Sequence, residues 1–241
     1  MEVTASAAPP DNPVHVFWTG GWDSTFRVLD LALRQGRMVQ PHYVRRAIRE
    51  SDQHEMAAMR AIHASVTQRF GEGIAGRIAP PRVADFDNLM ITPELRRWHT
   101  NLRKLYDLSP QYKFLHAHAT AAGIDGIEVV VMKSDKLADF LRPHLQDGEA
   151  GRSLMARPKP PALALMRPFR FPTLDITKLE VMSRAEAAGF LPEMMLTHFC
   201  FHPMPIGTPC GRCFPCVQTM AQGMGWRVPH DRWLPRDAGR A

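Results

Sequence analysis

The chain has 241 residues, of which 45% are hydrophobic and 22% charged, and its formal net charge is +6. A chain of this size buries a core without disulfide or metal staples and fits one large domain, or one domain with a small appendage. The charge excess is mild and comes mostly from arginine, since only six residues are lysine; it favours anionic ligands in general, and no basic run of five or more indicates a nucleic-acid arm.

Residues 1–13, MEVTASAAPPDNP, lack the basic start and apolar stretch of a secretory signal. Their Ala, Ser and Pro content predicts a disordered tail. Val14–Trp18 is a short apolar run and reads as a buried strand. Ser24–Arg34 carries apolar positions at helical spacing and is closed by Gly36. Met38–Val44 reads as a second strand. Ser51 or Asp52 can cap a long helix through Phe70, with Met56, Met59, Ile62 and Val66 on one face. Gly71, Gly73 and Gly76 satisfy G-x-G-x-x-G, but they follow a helix and lead into RIAPPR, which is the wrong context for a dinucleotide site.

Further on, Arg82–Phe86 reads as a strand, and Pro93–Tyr106 and Ser109–Gly123 as helices. Ile127–Met132, IEVVVM, is the clearest buried strand. Leu145–Pro161 reads as a mobile surface loop and Leu163–Phe171 as a strand. Thr177–Ala188 opens with a capping box (Thr177, Glu180) and ends at Gly189. The alternation predicts an α/β fold, a mainly parallel sheet with helices on both faces. The expected organisation is an N-terminal tail (1–13), a main domain (14–191), a cysteine-bearing lobe (192–226) and a C-terminal tail (227–241), with Trp226 and Trp233 as anchors. No apolar run reaches the ~18 residues of a membrane span. A reducing, cytoplasmic location is the expectation, under which clustered cysteines are metal ligands before they are disulfides.

Two stretches carry chemistry. In HVFWTGGWDSTFR a strand breaks at Gly20 and Gly21 and a helix begins at once. The first N–H groups of such a helix form an anion site, and glycine lets a phosphate approach the backbone. Thr19, Ser24 and Thr25 offer hydroxyls. Asp23 is at odds with a bound phosphate unless it supports a magnesium ion or holds the loop. The lysine of the Walker pattern is absent. A plain strand-to-helix turn, with Asp23 as cap, is the simpler alternative. The second stretch holds all four cysteines: Cys200, Cys210, Cys213 and Cys216, in CFHPMPIGTPCGRCFPC. Four thiolates at this spacing suit a closed, structural tetrahedral Zn²⁺ site. His198 and His202 flank Cys200 as substitutes for one ligand. His116 and His118 lie two apart on a helix and cannot pair on one face.

TGGWDST resembles the S-G-G-x-D-S/T signature of the PP-loop ATP pyrophosphatases, with Thr19 at the first serine. Together with Cys200, Cys210, Gly211, Cys213 and Cys216, it is similar to the 7-cyano-7-deazaguanine synthase family. The likeness runs from about Val14 to about Gln218 and is close only at its two ends. It implies a Rossmann-like fold of the adenine nucleotide alpha hydrolase type with a C-terminal zinc lobe. It also implies ATP, Mg²⁺ and Zn²⁺ as cofactors, and a carboxylate that is adenylated with loss of pyrophosphate and passed to ammonia or an amine. Phe17, Trp18, Thr19, Gly20, Gly21, Trp22, Asp23, Ser24 and Thr25 would hold the nucleotide, with Asp23, Ser24 and Lys133 at the chemistry. The four cysteines would hold zinc.

The implied partners are a small-molecule carboxylate and ammonia, with no membrane or nucleic acid; a homodimer is compatible. The chain departs from the family at three places. Pro110, within Leu108–Gln111, stands where the family has an arginine, so Lys113, Arg103 or Lys133 would have to supply its charge. Lys133, Asp135 and Lys136 occupy the substrate loop after the fourth strand. VQTMAQG follows Cys216 without the family's arginine. Arg45, Arg46 and Arg49 are further candidates for nucleotide or substrate. Two other readings stay open: a relative acting on a different carboxylate, including a protein terminus, and a non-catalytic nucleotide- or nucleic-acid-binding zinc module.

Overall fold

The computed structural model describes residues 12–46, 49–148, 151–204 and 207–229. Most of the expected N-terminal tail, and the C-terminal tail from residue 230 on with its Trp233 anchor, lie outside them. The elements run β1 (Val14–Phe17), α1 (Trp22–Leu29), β2 (Val39–Arg45), α2 (Ser51–Phe70), α3 (Glu72–Ala75), β3 (Arg82–Asp85), α4 (Pro93–Arg103), α5 (Gln111–Ala121) and β4 (Ile127–Glu128). Then follow α6 (Lys136–Leu141), β5 (Leu145–Gln146), β6 (Arg152–Leu154), β7 (Phe169–Phe171), α7 (Lys178–Ala187), α8 (Leu191–Met195) and α9 (Phe214–Thr219). The strands form one seven-stranded sheet in the order β3-β2-β1-β4-β7-β6-β5. The first five are mutually parallel, and β6 and β5 add an antiparallel edge.

Neighbouring β1 residues face opposite sides of the sheet, which is the period of a strand. Val16 and Trp18 pack with α1, α2, α7 and α8 residues such as Val28, Ile62, Val181 and Met194. Phe17 packs with Leu102, Tyr112, Ile127 and Phe169 on the other side. Helices therefore cover both faces, as the alternating pattern predicts. α1 is pinned to the sheet by a bidentate ion pair: Arg27 donates to both carboxylate oxygens of buried Glu128 on β4, at 2.6 and 2.7 Å. Among the described residues no helix is long and apolar enough to cross a membrane.

Several boundaries differ from expectation for physical reasons. The IEVVVM run pairs in the ladder only at Ile127–Glu128. It stays largely buried through Met132 but parts from β1 beyond the Val16–Glu128 pairing, and this parting opens the cavity described below. The Leu163–Phe171 run is a 3-10 turn over Pro161–Met166 followed by β7, because a short apolar run between prolines has no period that distinguishes strand from buried helix. The Leu145–Pro161 stretch is not simply loop: it supplies β5 and β6, which pair antiparallel. Ser51 and Asp52 do not cap α2. They lie inside its first turn, where Ser51 donates to Glu55 and Asp52 accepts from the Tyr43 hydroxyl. The Thr177–Glu180 capping box forms in full, with the Thr177 hydroxyl accepting from the Glu180 N–H and Glu180 accepting from the Thr177 N–H. Gly71, Gly73 and Gly76 belong to the short α3 connection and to no dinucleotide turn.

His118, which cannot pair with His116 on one helix face, closes a chain of three imidazoles from α5. His15 and His118 each contact His42 at 2.9 Å, through its Nε2 and Nδ1 respectively. Burial, then the neighbouring imidazoles and Arg82, pulls His42 down to about 3, and burial lowers His15 and His118 as well. Unfolded histidines titrate near 6.5. Below that pH only the unfolded chain takes up these protons, so stability falls as pH drops from about 6.5 toward about 3. Each such histidine contributes a slope of up to about 1.4 kcal/mol per pH unit. His42→Asn is expected to flatten the pH 7.5-to-5.5 difference in chemical denaturation, and an unchanged difference would contradict the assignment.

Candidate functional site

A cavity of about 520 Å³ opens at the carboxyl ends of β1, β2 and β4. This is the point where the strand order reverses about β1, the usual ligand crevice of open α/β sheets. Phe17, Thr19, Gly21, Trp22, Asp23 and Ser24 line it from the glycine loop. Trp18, Gly20 and Thr25 do not reach its wall. They form the scaffold beneath: Trp18 Nε1 donates to the buried Thr25 hydroxyl at 2.9 Å, and Trp18 N–H donates to the His42 carbonyl.

The loop is tightly tied. Thr19 N–H donates to Ser24 Oγ at 3.3 Å, and Thr25 N–H donates to the Gly21 carbonyl at 3.0 Å. Gly21 is the N-cap of α1, so no side chain caps the helix and its first-turn N–H groups are left for another acceptor. Gly20 has φ +67°, and a Cβ there would stand 2.7 Å from the Glu55 carbonyl oxygen. Gly20→Ala therefore combines left-handed strain with a backbone clash. A cost of about 2–4 kcal/mol is expected, read as a lowered denaturation midpoint; unchanged stability would contradict the loop geometry.

Asp23 sits where the loop meets α7. Its Oδ2 is 3.0 Å from Lys178 Nζ, and its Oδ1 is buried without a hydrogen-bond partner. Asp135 lies close behind, and burial together with the Asp23 charge pushes its carboxyl above the ordinary range. An orphaned carboxylate oxygen is the donor a hard divalent cation takes, so the loop fits the expected Mg²⁺. Lys133, by contrast, is exposed and does not line the cavity: the chain turns after Met132, and Lys133 N–H bonds the Ile176 carbonyl. Lys136 is likewise exposed. The lysine at the loop is Lys178, the first residue of α7. A capping box places a helix start at Thr177, and the helix after a parallel strand starts at the sheet's carboxyl edge, so the sequence did hold that signal.

The wall opposite the loop includes Ser109, Pro110 and Gln111 at the start of α5. Pro110, where the resemblance would put an arginine, thus faces the cavity. Arg103 is paired with exposed Asp107, and Lys113 rests on the Phe114 ring. Positive charge comes from elsewhere: Arg46, Arg49, Lys178 and Arg227 line the cavity, against the carboxylates Asp23 and Glu55. Arg49 pairs with Glu55, and Arg45 turns away to Asp85. Arg227, the first residue of the expected C-terminal tail, lines the site, and Val228 packs with the cysteine cluster. The cysteine lobe therefore runs past residue 226. Nothing in the local sequence pattern marks Arg227.

The four cysteine sulfurs lie within 4.8 Å of one another. The Cys200–Cys213, Cys210–Cys216 and Cys213–Cys216 separations are 3.8, 4.0 and 3.5 Å. A tetrahedron with Zn–S bonds of ~2.3 Å has edges of about 3.8 Å, so the set is shaped for a metal ion and fits zinc. Backbone N–H groups of Cys210 and Cys213 point at Cys200 Sγ and Cys210 Sγ, as thiolate ligands require. The flanking histidines are engaged elsewhere. His198 bonds the Cys200 carbonyl and stacks on His54, and His202 pairs with Glu50. The lobe also holds the glycine loop, because His198 N–H donates to the Gly20 carbonyl at 2.9 Å.

No protein-family model matches this chain, and no curated protein matches it as a relative.

Proposed function

We propose that the chain is an ATP-dependent enzyme of the adenine nucleotide alpha hydrolase type, similar to 7-cyano-7-deazaguanine synthase. It adenylates a carboxylate with release of pyrophosphate and passes the acyl group to ammonia or an amine. The observation that carries this reading is the glycine loop itself: a turn tied by its own hydroxyls, with an uncapped helix start, opening on a cavity lined by four basic and two acidic side chains. Such a cavity selects a multiply charged anion and has room for a nucleotide fragment. The four-cysteine cluster beside it supports the same family and, as zinc, is structural, since all four positions are filled by sulfur.

The α1 N–H groups, Ser24 and Lys178 hold the phosphates. Asp23, whose buried Oδ1 has no hydrogen-bond partner, would hold a Mg²⁺ ion, which would neutralise polyphosphate charge. A carboxylate oxygen attacks the α-phosphorus, pyrophosphate leaves, and the amine nitrogen then displaces AMP from the acyl carbon and loses a proton. No protein nucleophile takes part; catalysis is positioning and charge stabilisation. One atom reports the route, because adenylation moves one carboxylate oxygen into AMP. With ¹⁸O-labelled 7-carboxy-7-deazaguanine and a panel of labelled carboxylates, at least one substrate is expected to yield ¹⁸O-labelled AMP by mass spectrometry. AMP formed without label, or no AMP from any member, would refute the mechanism.

A further inference from the structure

Arg227 is held in an unusual way. Its Cζ lies 4.8 Å from the centroid of the Trp22 ring and 4.9 Å from that of Phe199, so the guanidinium packs on both rings. Its Nη2 donates to the Thr197 carbonyl and hydroxyl, both at 2.8 Å. Among the described residues, Nε and Nη1 have no hydrogen-bond partner, and no carboxylate lies within ion-pair distance of the group. Yet the residue lines the cavity beside the glycine loop. The nearest candidate counter-charge, Asp23, is taken by Lys178.

A fixed, planar guanidinium anchored through Nη2 keeps Nε–H and Nη1–H free on two different edges, and each can donate one charge-assisted hydrogen bond to an oxygen of a carboxylate or phosphate. The ring contacts remove the rotamer freedom that a surface arginine loses on binding. An unpaired cation in a cleft is costly without a ligand, and it is stabilised once an anion arrives.

We propose that Arg227 is the oxyanion receptor of this cavity, delivered by the cysteine lobe to the face of the loop residue Trp22. It takes the place of the guanidinium missing at Pro110, from the other side of the site. Its ligand is either a phosphate of the nucleotide or the carboxylate to be activated. The oxyanion chemistry stands alone; only the choice between these two sources rests on the ligase reading above.

The test is calorimetric titration of the zinc-loaded full-length chain, wild type, Arg227→Gln and Arg227→Lys, with inorganic pyrophosphate, MgATP and benzoate as the probes. Zinc content and melting temperature are measured for each variant. Wild type is expected to bind at least one probe saturably, and Arg227→Gln to weaken it by about tenfold or more. Arg227→Lys keeps the charge without the planar group that the two rings and Thr197 hold in place, and is expected to fall between the two. It also serves alone if the glutamine variant does not fold. Loss confined to pyrophosphate and MgATP assigns the nucleotide, and loss confined to benzoate assigns the acyl substrate. Unchanged affinity in a folded variant overturns the proposal, as does a wild-type protein that binds none of the probes. Arginine-dependent binding without any adenylation would leave the receptor standing and the ligase reading refuted. Adenylation with affinities indifferent to Arg227 would do the reverse.

Discussion

Cys213→Ser is expected to lower bound metal from about one zinc per chain to near none and the melting temperature by about 10 °C or more. The reason lies in how little else holds the lobe. Its buried residues are Cys200, Cys216 and Val228, with Phe199, Cys210, Cys213 and Met220 packed around them. That is too small a core to order itself, so metal binding is its folding energy. The effect reaches further than the lobe. His198 N–H grips the Gly20 carbonyl, and Arg227 rests on Trp22, so a lobe without metal releases both the loop and its guanidinium. Affinity for MgATP should therefore fall together with zinc content, measured by metal analysis and calorimetry on the same samples. Wild-type protein that carries no metal and melts unchanged in chelator would contradict this account of the cluster.

Asp23→Asn is expected to do the opposite: to leave the fold nearly intact and remove turnover. The Asp23–Lys178 pair is partly solvated, with the two side chains 26% and 12% exposed, so its loss should cost no more than about 1 kcal/mol. Function is another matter. Asn keeps the shape but not the charge, and the buried Oδ1 that is free for a cation becomes a neutral amide position. Loss of a preorganised electrostatic group of this kind reduces rate by about a hundred- to thousandfold. The matching measurement is pyrophosphate release per chain, with circular dichroism to show the fold is retained. A variant that retained full activity would remove Asp23 from the chemistry.

The glycine turn and the cysteine cluster were legible because each depends on local spacing, and the Thr177–Glu180 box because a cap is a contact between near neighbours in sequence. The alternation of strands and helices was legible for the same reason. What escaped depends on distant packing. The length of β4 is set by where it parts from β1, and the helical turn at Pro161–Met166 by burial against α4 and α5, neither of which a run of apolar letters records. The basic groups of the site come from the start of α7 and the end of the cysteine lobe, far along the chain from the loop they face. Lys133 follows a strand and has the right chemistry, but the turn after Met132 takes it to solvent. Trp22, named from the sequence only as part of the nucleotide loop, seats Arg227 on its ring, a contact between residues about two hundred positions apart that no local pattern records.

The central claim is that the Thr19–Thr25 loop activates a carboxylate with ATP. Isotope exchange between pyrophosphate and ATP tests it most directly, with zinc-loaded protein, Mg²⁺ and the carboxylate panel headed by 7-carboxy-7-deazaguanine. The account predicts exchange that needs both the carboxylate and Mg²⁺ and disappears in Asp23→Asn. Exchange that persists in Asp23→Asn, or none with any carboxylate while MgATP binds, would contradict it.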